Sequence, residues 1–167
     1  LSPRSLLDPE LPTAVETLLQ MNGLSAQDLT LEITESSVLD DPRRTGEVLD
    51  RLRALGVRIS IDDFGTGYSS LSYLRRFPID VLKIDRSFVL EIGVSQDGES
   101  IIDAIISLAR SLRLETVAEG VETNEQLDFL LERGCHIVQG YLFGVPMEQA
   151  LIEPLLRDIR NHMYAAG

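Results

Sequence analysis

Short apolar segments alternate along the chain with longer segments in which apolar residues recur every three or four positions. The short segments predict β-strands, and the longer ones predict amphipathic helices. Five strands are expected, at residues 30–35, 57–63, 81–85, 116–120 and 137–141. Strands that alternate with helices are typical of a parallel α/β fold.

Several helix ends carry capping residues. Asp8 and Asp41 each precede a proline, which suits an N-cap followed by proline at the first helical position. Gly23 and Gly56 suit the left-handed residue that ends a helix. No linker or low-complexity tract separates these elements, so residues 1–167 are expected to form a single domain.

Alternation within the strands separates an apolar face from a polar one. The residues expected to face the helices are Leu31, Ile33, Val57, Ile59, Ile61, Leu82 and Ile84. The residues expected to face the other way are Glu32, Ser60, Asp62, Lys83 and Asp85. A polar opposite face favours a (β/α) barrel of the TIM type over a doubly wound sheet, because helices cover both faces of the latter. A closed barrel needs about eight strands, so we expect an incomplete one.

Acidic residues collect where the predicted strands end. They are Glu32, Glu35, Asp62, Asp63, Glu119 and Glu122, with Gln139 near the end of the last strand. In barrels the chemistry lies at the carboxyl ends of the strands, so we expect one acidic site there. Asp62 and Asp63 are adjacent, and successive side chains of a regular strand point to opposite faces. Both can therefore serve one site only where the strand ends and the backbone turns.

Such a group of carboxylates needs counter-charge. Two unit charges about 4 Å apart repel by roughly 4 kcal/mol at an effective dielectric constant of about 20. Either some of the acids protonate or cations lie between them. The chain has two histidines and one cysteine, so any metal must be held by oxygen, which points to Mg²⁺, Mn²⁺ or Ca²⁺. Paired ions of this kind promote attack on phosphodiesters.

Each of these residues also has an ordinary structural interpretation. A single acid at a strand end is more typical as a helix cap or a surface charge, and Lys83 with Asp85 could form an interior ion pair. Alternatively, Lys83 would hold the attacking water or neutralise developing charge. Capping explains one acid in a loop but not two, and this favours the site.

Aromatic residues near this rim allow base stacking. Phe64, Tyr68 and Tyr141 could each stack on a base, although packing in the core or at the rim is the more typical role. Gly65, Thr66 and Gly67 lack the lysine and spacing of a phosphate-binding loop, so we interpret them as a tight turn.

Charge and cysteine content restrict the partners and the compartment. A net charge of −12 disfavours non-specific binding to DNA, RNA or an anionic membrane. Cys135 cannot form an internal disulfide and is more typical of a small buried side chain than of a nucleophile. No leader or spanning segment is recognisable, so we expect a cytoplasmic protein without direct membrane contact.

Four sequence blocks resemble the EAL domain, the bacterial cyclic diguanylate phosphodiesterase family. They are LEITES at 31–36, DDFGTGYSSLSYLRRFPIDVLKIDRSFV at 62–89, ETVAEGVET at 115–123 and QGYLFGVPM at 139–147. The resemblance covers essentially the whole chain. It implies a modified TIM-type barrel that opens cyclic diguanylate (c-di-GMP) to the linear dinucleotide with two Mg²⁺ or Mn²⁺ ions and is inhibited by Ca²⁺.

The resemblance also implies roles for individual residues. The implied metal ligands are Glu32, Asp62, Asp63 and Glu119, with Asp63 serving both ions. The implied catalytic residues are Lys83, which orients the nucleophilic water, with Glu119 and Gln139. Glu35 resembles the glutamate that anchors the DFGTGYSS loop, and Glu122 and Asp85 resemble residues that support the site.

The family's signature, Glu-Ala-Leu followed by an arginine, is absent, as is the asparagine expected just before LSPRSLL. The chain is therefore expected to begin after the first strands of the barrel and to be inactive or weakly active by itself. Exposed sheet edges favour a homodimer or another partner. A sensory or GGDEF domain is expected upstream in the parent protein. The alternatives are an inactive c-di-GMP receptor and a dimerisation module.

Overall fold

A computed structural model describes residues 1–38, 41–66, 74, 76–148 and 150–154. Its five strands are β1 (Thr30–Thr34), β2 (Arg58–Phe64), β3 (Val81–Ile84), β4 (Glu115–Glu119) and β5 (Ile137–Gln139). The strands form one sheet in chain order, and each neighbouring pair is parallel. The α/β prediction is therefore confirmed, and the sheet is an open part of a barrel.

Helices and short turns connect the strands. The helices are α1 (Pro3–Leu6), α2 (Leu11–Asn22), α3 (Pro42–Leu55), α4 (Arg86–Val89), α5 (Gln96–Leu112) and α6 (Asn124–Glu132). Two 3₁₀ turns, Ala26–Asp28 and Ser36–Val38, flank β1. None of the helices within the described part of the chain is both long and apolar enough to cross a membrane.

The core lies between the sheet and the helices, as the alternation predicts. Ile33, Ile59 and Leu82 are fully buried with Leu49 of α3, and Leu31 at the sheet edge is half-buried. Apolar burial stabilises a fold by about 25 cal/mol per Å² of surface removed from water. This core fixes the register of the strands, and hence the polar side chains on the opposite face.

Two of the capping predictions can be compared with particular bonds. The Asp41 carboxylate accepts a hydrogen bond from the backbone N–H of Arg44 at 3.1 Å, so this N-cap is confirmed. The Asp8 prediction is wrong, because α2 begins only at Leu11. The Asp8 carboxylate instead accepts from the N–H of Glu10 at 2.9 Å and closes the turn before the helix.

Cys135 is fully buried, as expected for a small apolar side chain. Its thiol contacts the carbonyl oxygen atoms of Thr116 and Ile137, at the amino ends of β4 and β5. Burial raises the pKa of the Cys135 thiol above its usual value.

Candidate active site

The ammonium group of Lys83, on β3, lies at the centre of the polar face. Its Nζ atom is 2.7 Å from Oε1 of Glu32, 3.1 Å from Oδ1 of Asp62 and 2.5 Å from Oε1 of Glu119. The three acids come from β1, β2 and β4, so the sheet joins residues 87 positions apart. The Lys83 side chain is 7% exposed, whereas that of Glu32 is 51% exposed.

Hydrogen bonding keeps Lys83 charged. Burial by itself lowers the pKa of Lys83, but the hydrogen bonds to Glu119, Glu32 and Asp62 outweigh burial and raise that pKa above its ordinary value. With its three N–H groups directed at carboxylates, Lys83 acts as a hydrogen-bond donor and a positive charge rather than as a base. The interior ion pair considered between Lys83 and Asp85 is not formed, because Lys83 contacts three other acids and the Asp85 carboxylate accepts from Ser87.

A bulge in β2 explains how two adjacent acids, Asp62 and Asp63, both lie near Lys83. Ile61 pairs with Leu82 and Phe64 pairs with Ile84, so β2 has one more residue than β3 in this interval. Asp63 lies within the bulge and has a φ of 55°, in the left-handed region. The expectation that the strand ends at the acids is therefore wrong in detail. The strand continues to Phe64, and the bulge rather than a strand end redirects Asp63.

Asp63 is held among negative charges. Partial desolvation raises the pKa of Asp63, the carboxylates of Asp62 and Asp85 raise it further, and Lys83 lowers it. Asp85 lies at the N-cap of α4, where its carboxylate accepts from the Ser87 N–H at 2.9 Å. Burial opposes ionisation of Asp85, but the hydrogen bonds from Ser87 lower its pKa below the usual value. Asp85 therefore provides a fixed negative charge beside Asp63.

Glu35 connects the end of β1 to the loop that follows β2. Its Oε2 atom accepts a hydrogen bond from the Gly65 N–H at 3.3 Å. Its Oε1 atom is buried without a hydrogen-bond partner. The contact with Gly65 agrees with the loop-anchoring role expected of Glu35. Residues 67 and 68 of this loop, including the candidate Tyr68, lie outside the described residues.

A small cavity of about 180 Å³ lies beside Glu119 and is lined also by Gln139, Glu122 and Tyr141. Gln139 pairs with Glu119 in the register of β4 and β5, so both residues reach the same rim. Arg86, which also lines this cavity, binds Glu122 at 2.7 Å. Sequence reasoning missed Arg86, although it directly follows Asp85.

The aromatic candidates differ from one another. Phe64 belongs to the core and is 5% exposed, which excludes it as a stacking surface. Tyr141 is 60% exposed at the cavity beside Glu119 and remains available to a ligand.

The carboxylate oxygen atoms of this site are ligands of the type that Mg²⁺, Mn²⁺ and Ca²⁺ prefer. The carboxylates of Glu32, Asp62 and Glu119 contact the single positive charge of Lys83, and the carboxylate of Asp63 lies near enough for Lys83 to lower its pKa, so negative charge is in excess. Within the described ranges, no group of three or more Asp, Glu, His or Cys side chains is already arranged to hold a metal ion. Lys83 occupies the centre of the group instead.

Comparisons with known proteins give a consistent result. Residues 1–146 match the family model described as the EAL domain. The chain is 53% identical over 146 residues to the cyclic di-GMP phosphodiesterase NbdA of Pseudomonas aeruginosa, covering 87% of this chain and 19% of NbdA. It is 48% identical over 134 residues to the bifunctional diguanylate cyclase/cyclic di-GMP phosphodiesterase MucR of the same species, covering 80% of this chain and 20% of MucR. The chain thus spans about a fifth of the length of these relatives.

Solved structures share the fold. The MucR phosphodiesterase in complex with c-di-GMP superposes with a TM-score of 0.86 at 45% identity, covering 91% of this chain and 62% of that one. The manganese and c-di-GMP complex of Klebsiella pneumoniae BlrP1 gives a TM-score of 0.81 at 36% identity, covering 87% of this chain and 38% of that one. A calcium complex of BlrP1 gives a TM-score of 0.80 at 36% identity, over 86% of this chain and 37% of that one.

Proposed function

The chain belongs to the EAL domain family, and from this premise we propose that the protein carrying it hydrolyses c-di-GMP to the linear dinucleotide in bacterial second-messenger signalling. The observation that carries the proposal is the contact of one buried ammonium group, that of Lys83, with carboxylates from three strands. The relatives named as phosphodiesterases, and the neighbour with c-di-GMP bound, support the same substrate.

We propose that Glu32, Asp62, Asp63 and Glu119 hold two divalent ions, Mg²⁺ or Mn²⁺, with Asp63 shared between them. The excess of carboxylate over Lys83 supports this, as does the manganese complex of BlrP1. Bound ions of this type activate water and stabilise the departing oxygen of a phosphodiester. Ca²⁺ is larger and takes more ligands, so we expect it to support binding but to inhibit turnover.

The chain's own residues then have distinct roles. Lys83 donates hydrogen bonds and offsets negative charge, which suits it to orient an attacking water. Gln139, beside Glu119, offers an amide that can donate to the substrate or to that water. Glu35 holds the loop that begins at Gly65, and Arg86 fixes Glu122 at the rim.

The test compares two variants of the protein that carries this sequence, each losing one negative charge. Glu119→Gln changes an acid at Lys83, and Glu47→Gln changes an exposed acid on α3 that pairs only with Arg43 among the described residues. Hydrolysis of c-di-GMP is followed by chromatography in Mn²⁺, in Ca²⁺ and in EDTA, and Mn²⁺ binding is measured by calorimetry. We expect Glu119→Gln to lose turnover and to weaken Mn²⁺ binding, and Glu47→Gln to change neither.

Other outcomes identify the alternatives. Binding of c-di-GMP without turnover in Mn²⁺ would contradict the enzyme proposal and support a receptor. Absence of both binding and turnover would support a module with a purely structural role.

We also propose that the protein forms a homodimer. Beyond β5 the described residues provide no further strand, and Tyr141, Phe143 and Val145 are each more than half exposed there. Apolar exposure next to an unpaired edge favours association. Light scattering across a tenfold range of concentration tests this, and a monomer throughout would contradict it.

A further inference from the structure

An arginine-lined groove lies at the amino ends of β2, β3 and β4, away from the carboxylate site. It has a volume of about 990 Å³, and Arg53, Arg58 and Arg113 line it from α3, β2 and the end of α5. Two acids, Asp80 and Glu115, also line it. Bases therefore outnumber acids here, in a chain whose net charge is −12.

Ion pairs hold two of these arginines on the wall of the groove. Arg58 bonds the carboxylate of Glu115, and Arg53 Nη1 lies 3.9 Å from Oδ1 of Asp80. The Arg53 and Arg58 side chains are 54% and 42% exposed, so their remaining N–H groups are accessible. A guanidinium group has five N–H donors, and one carboxylate partner leaves several of them free to bind a ligand.

Arg113 differs from the other two arginines of the groove. It is exposed, and among the residues that the structure describes it has no ion-pair partner. It ends α5 in the left-handed conformation with a φ of 60°, whereas α2 and α3 end in this way at glycines, Gly23 and Gly56. An arginine at such a position is strained where a glycine would not be.

We propose that this groove binds a small molecule with one or two terminal phosphates, of about the size of a nucleotide. The volume lies in the range of small-molecule sites. Planar guanidinium groups bind phosphate in a bidentate manner. In a strongly acidic protein, an excess of arginine directs an anion to this end rather than to the carboxylates.

A purely structural role makes different predictions. Positive side chains near helix C-termini stabilise the helix dipole, and Arg53 and Arg113 lie at two such termini. That role predicts no ligand, and it predicts that replacement of Arg113 by glycine alters only stability.

The probes are inorganic pyrophosphate and adenosine 5′-diphosphate, titrated calorimetrically into the protein that carries this sequence. The buffer contains EDTA, so that divalent ions do not bring phosphate to the carboxylates. We expect Arg113→Gly to raise the melting temperature, because it relieves strain, and to weaken binding of both probes at least tenfold. Arg53→Gln should weaken binding similarly. The matched control, Arg43→Gln, changes an arginine that is 87% exposed and outside the groove, and binding should remain unchanged.

Three results would overturn the proposal. They are absence of binding by either probe at millimolar concentration, binding that Arg113→Gly leaves intact, and binding that Arg43→Gln weakens as much as Arg53→Gln does. Stronger binding of adenosine diphosphate than of pyrophosphate would support a nucleotide, and equal binding would support recognition of the phosphates alone. The titrations are made in EDTA and measure binding without metal ions. Their outcome is therefore independent of whether the protein hydrolyses c-di-GMP in Mn²⁺.

Discussion

Asp63 and Arg113 lie near opposite ends of the sheet, yet they share a backbone conformation that side chains rarely adopt. Their φ angles are 55° and 60°, and no other non-glycine residue of the described part of the chain has a positive φ. Asp63 lies among carboxylates, and Arg113 lies beside other arginines. Residues held in rarely populated conformations cluster at functional sites, which agrees with the metal site and the phosphate site proposed for the two ends.

The two ends differ in how their charges are balanced. At the carboxyl end, one ammonium group faces several carboxylates, so the balance favours added cations. Among the three arginines that line the groove at the amino end, Arg58 and Arg53 are paired with acids, and Arg113 has no ion pair within the described residues. The balance of charge at the carboxyl end therefore depends on Lys83 far more than the balance at the amino end depends on any one arginine.

Replacement of Lys83 by methionine should produce the largest effect. The substitution keeps most of the length of the side chain but removes the charged ammonium group that three carboxylates contact. We expect the rate of c-di-GMP hydrolysis in Mn²⁺ to fall by about 10²- to 10³-fold, as when an electrostatic donor is removed from an active site. Arg43→Met, which removes an exposed charge, is the control. Equal rates in the two variants would show that the carboxyl end does not depend on Lys83.

The sequence predicts this difference between the two ends only where the interactions are between residues close to one another along the chain. Alternation predicts the faces of β1 and β3, because burial of residues such as Ile33 and Leu82 depends on a period of two. It fails at Asp63, because the bulge is set by pairing between β2 and β3 and leaves no local pattern. Asp8 fails for a different, local reason: its side chain closes a turn before Leu11 instead of capping the helix.

The functional residues likewise include some that the sequence reveals and some that it does not. Carboxylates at strand ends are visible in the sequence, so Glu32, Asp62 and Glu119 are identified correctly as neighbours. The groove at the amino end is not visible, because its arginines belong to separate elements and each resembles an ordinary charge near a helix or strand end. Only the fold brings them together.

Replacement of Gly140, at the carboxyl end of β5, should produce the next largest effect. A Cβ atom there would lie 2.0 Å from the carbonyl oxygen of Val121, whose N–H binds the Gln139 carbonyl oxygen at 3.1 Å. We expect Gly140→Ala to lower the free energy of unfolding by about 1–3 kcal/mol, as overpacking does. Gly144→Ala is the control, because its nearest contact is Met147 at 3.6 Å, and we expect a change within about 0.5 kcal/mol. Urea unfolding measures both, and equal stabilities would contradict the close approach.

Glycine at either strained position tests the comparison directly. Relief of the left-handed conformation gains about 1–2 kcal/mol, and the added freedom of glycine in the unfolded chain costs about 0.5–1 kcal/mol. We therefore expect Asp63→Gly and Arg113→Gly each to stabilise the protein by about 0.5–1 kcal/mol in EDTA. The gain should be greater at Asp63, because Asp62 and Asp85 repel its carboxylate.

Asp63→Asn separates the two contributions at Asp63, since asparagine and aspartate have similar tolerance of the left-handed region and differ in charge. A gain close to that of glycine would assign the effect to repulsion, and no gain would assign it to strain. Destabilisation by Asp63→Gly in urea would contradict both.

The smallest expected effect concerns Cys135, which is neutral and buried at the amino end, in contrast to the charged Lys83. Burial raises the pKa of the Cys135 thiol, so the folded protein holds that proton where the unfolded chain releases it. The resulting stability is present below about pH 8.5, the value for an exposed thiol, and is lost as the pH rises through the raised value. Urea unfolding at increasing pH should therefore show the difference between the unmodified protein and Cys135→Ala shrinking above about pH 8.5. A difference that stays constant with pH would mean that the thiol ionises equally in both states, and the contrast between the neutral buried thiol of Cys135 and the charged buried ammonium group of Lys83 would fail.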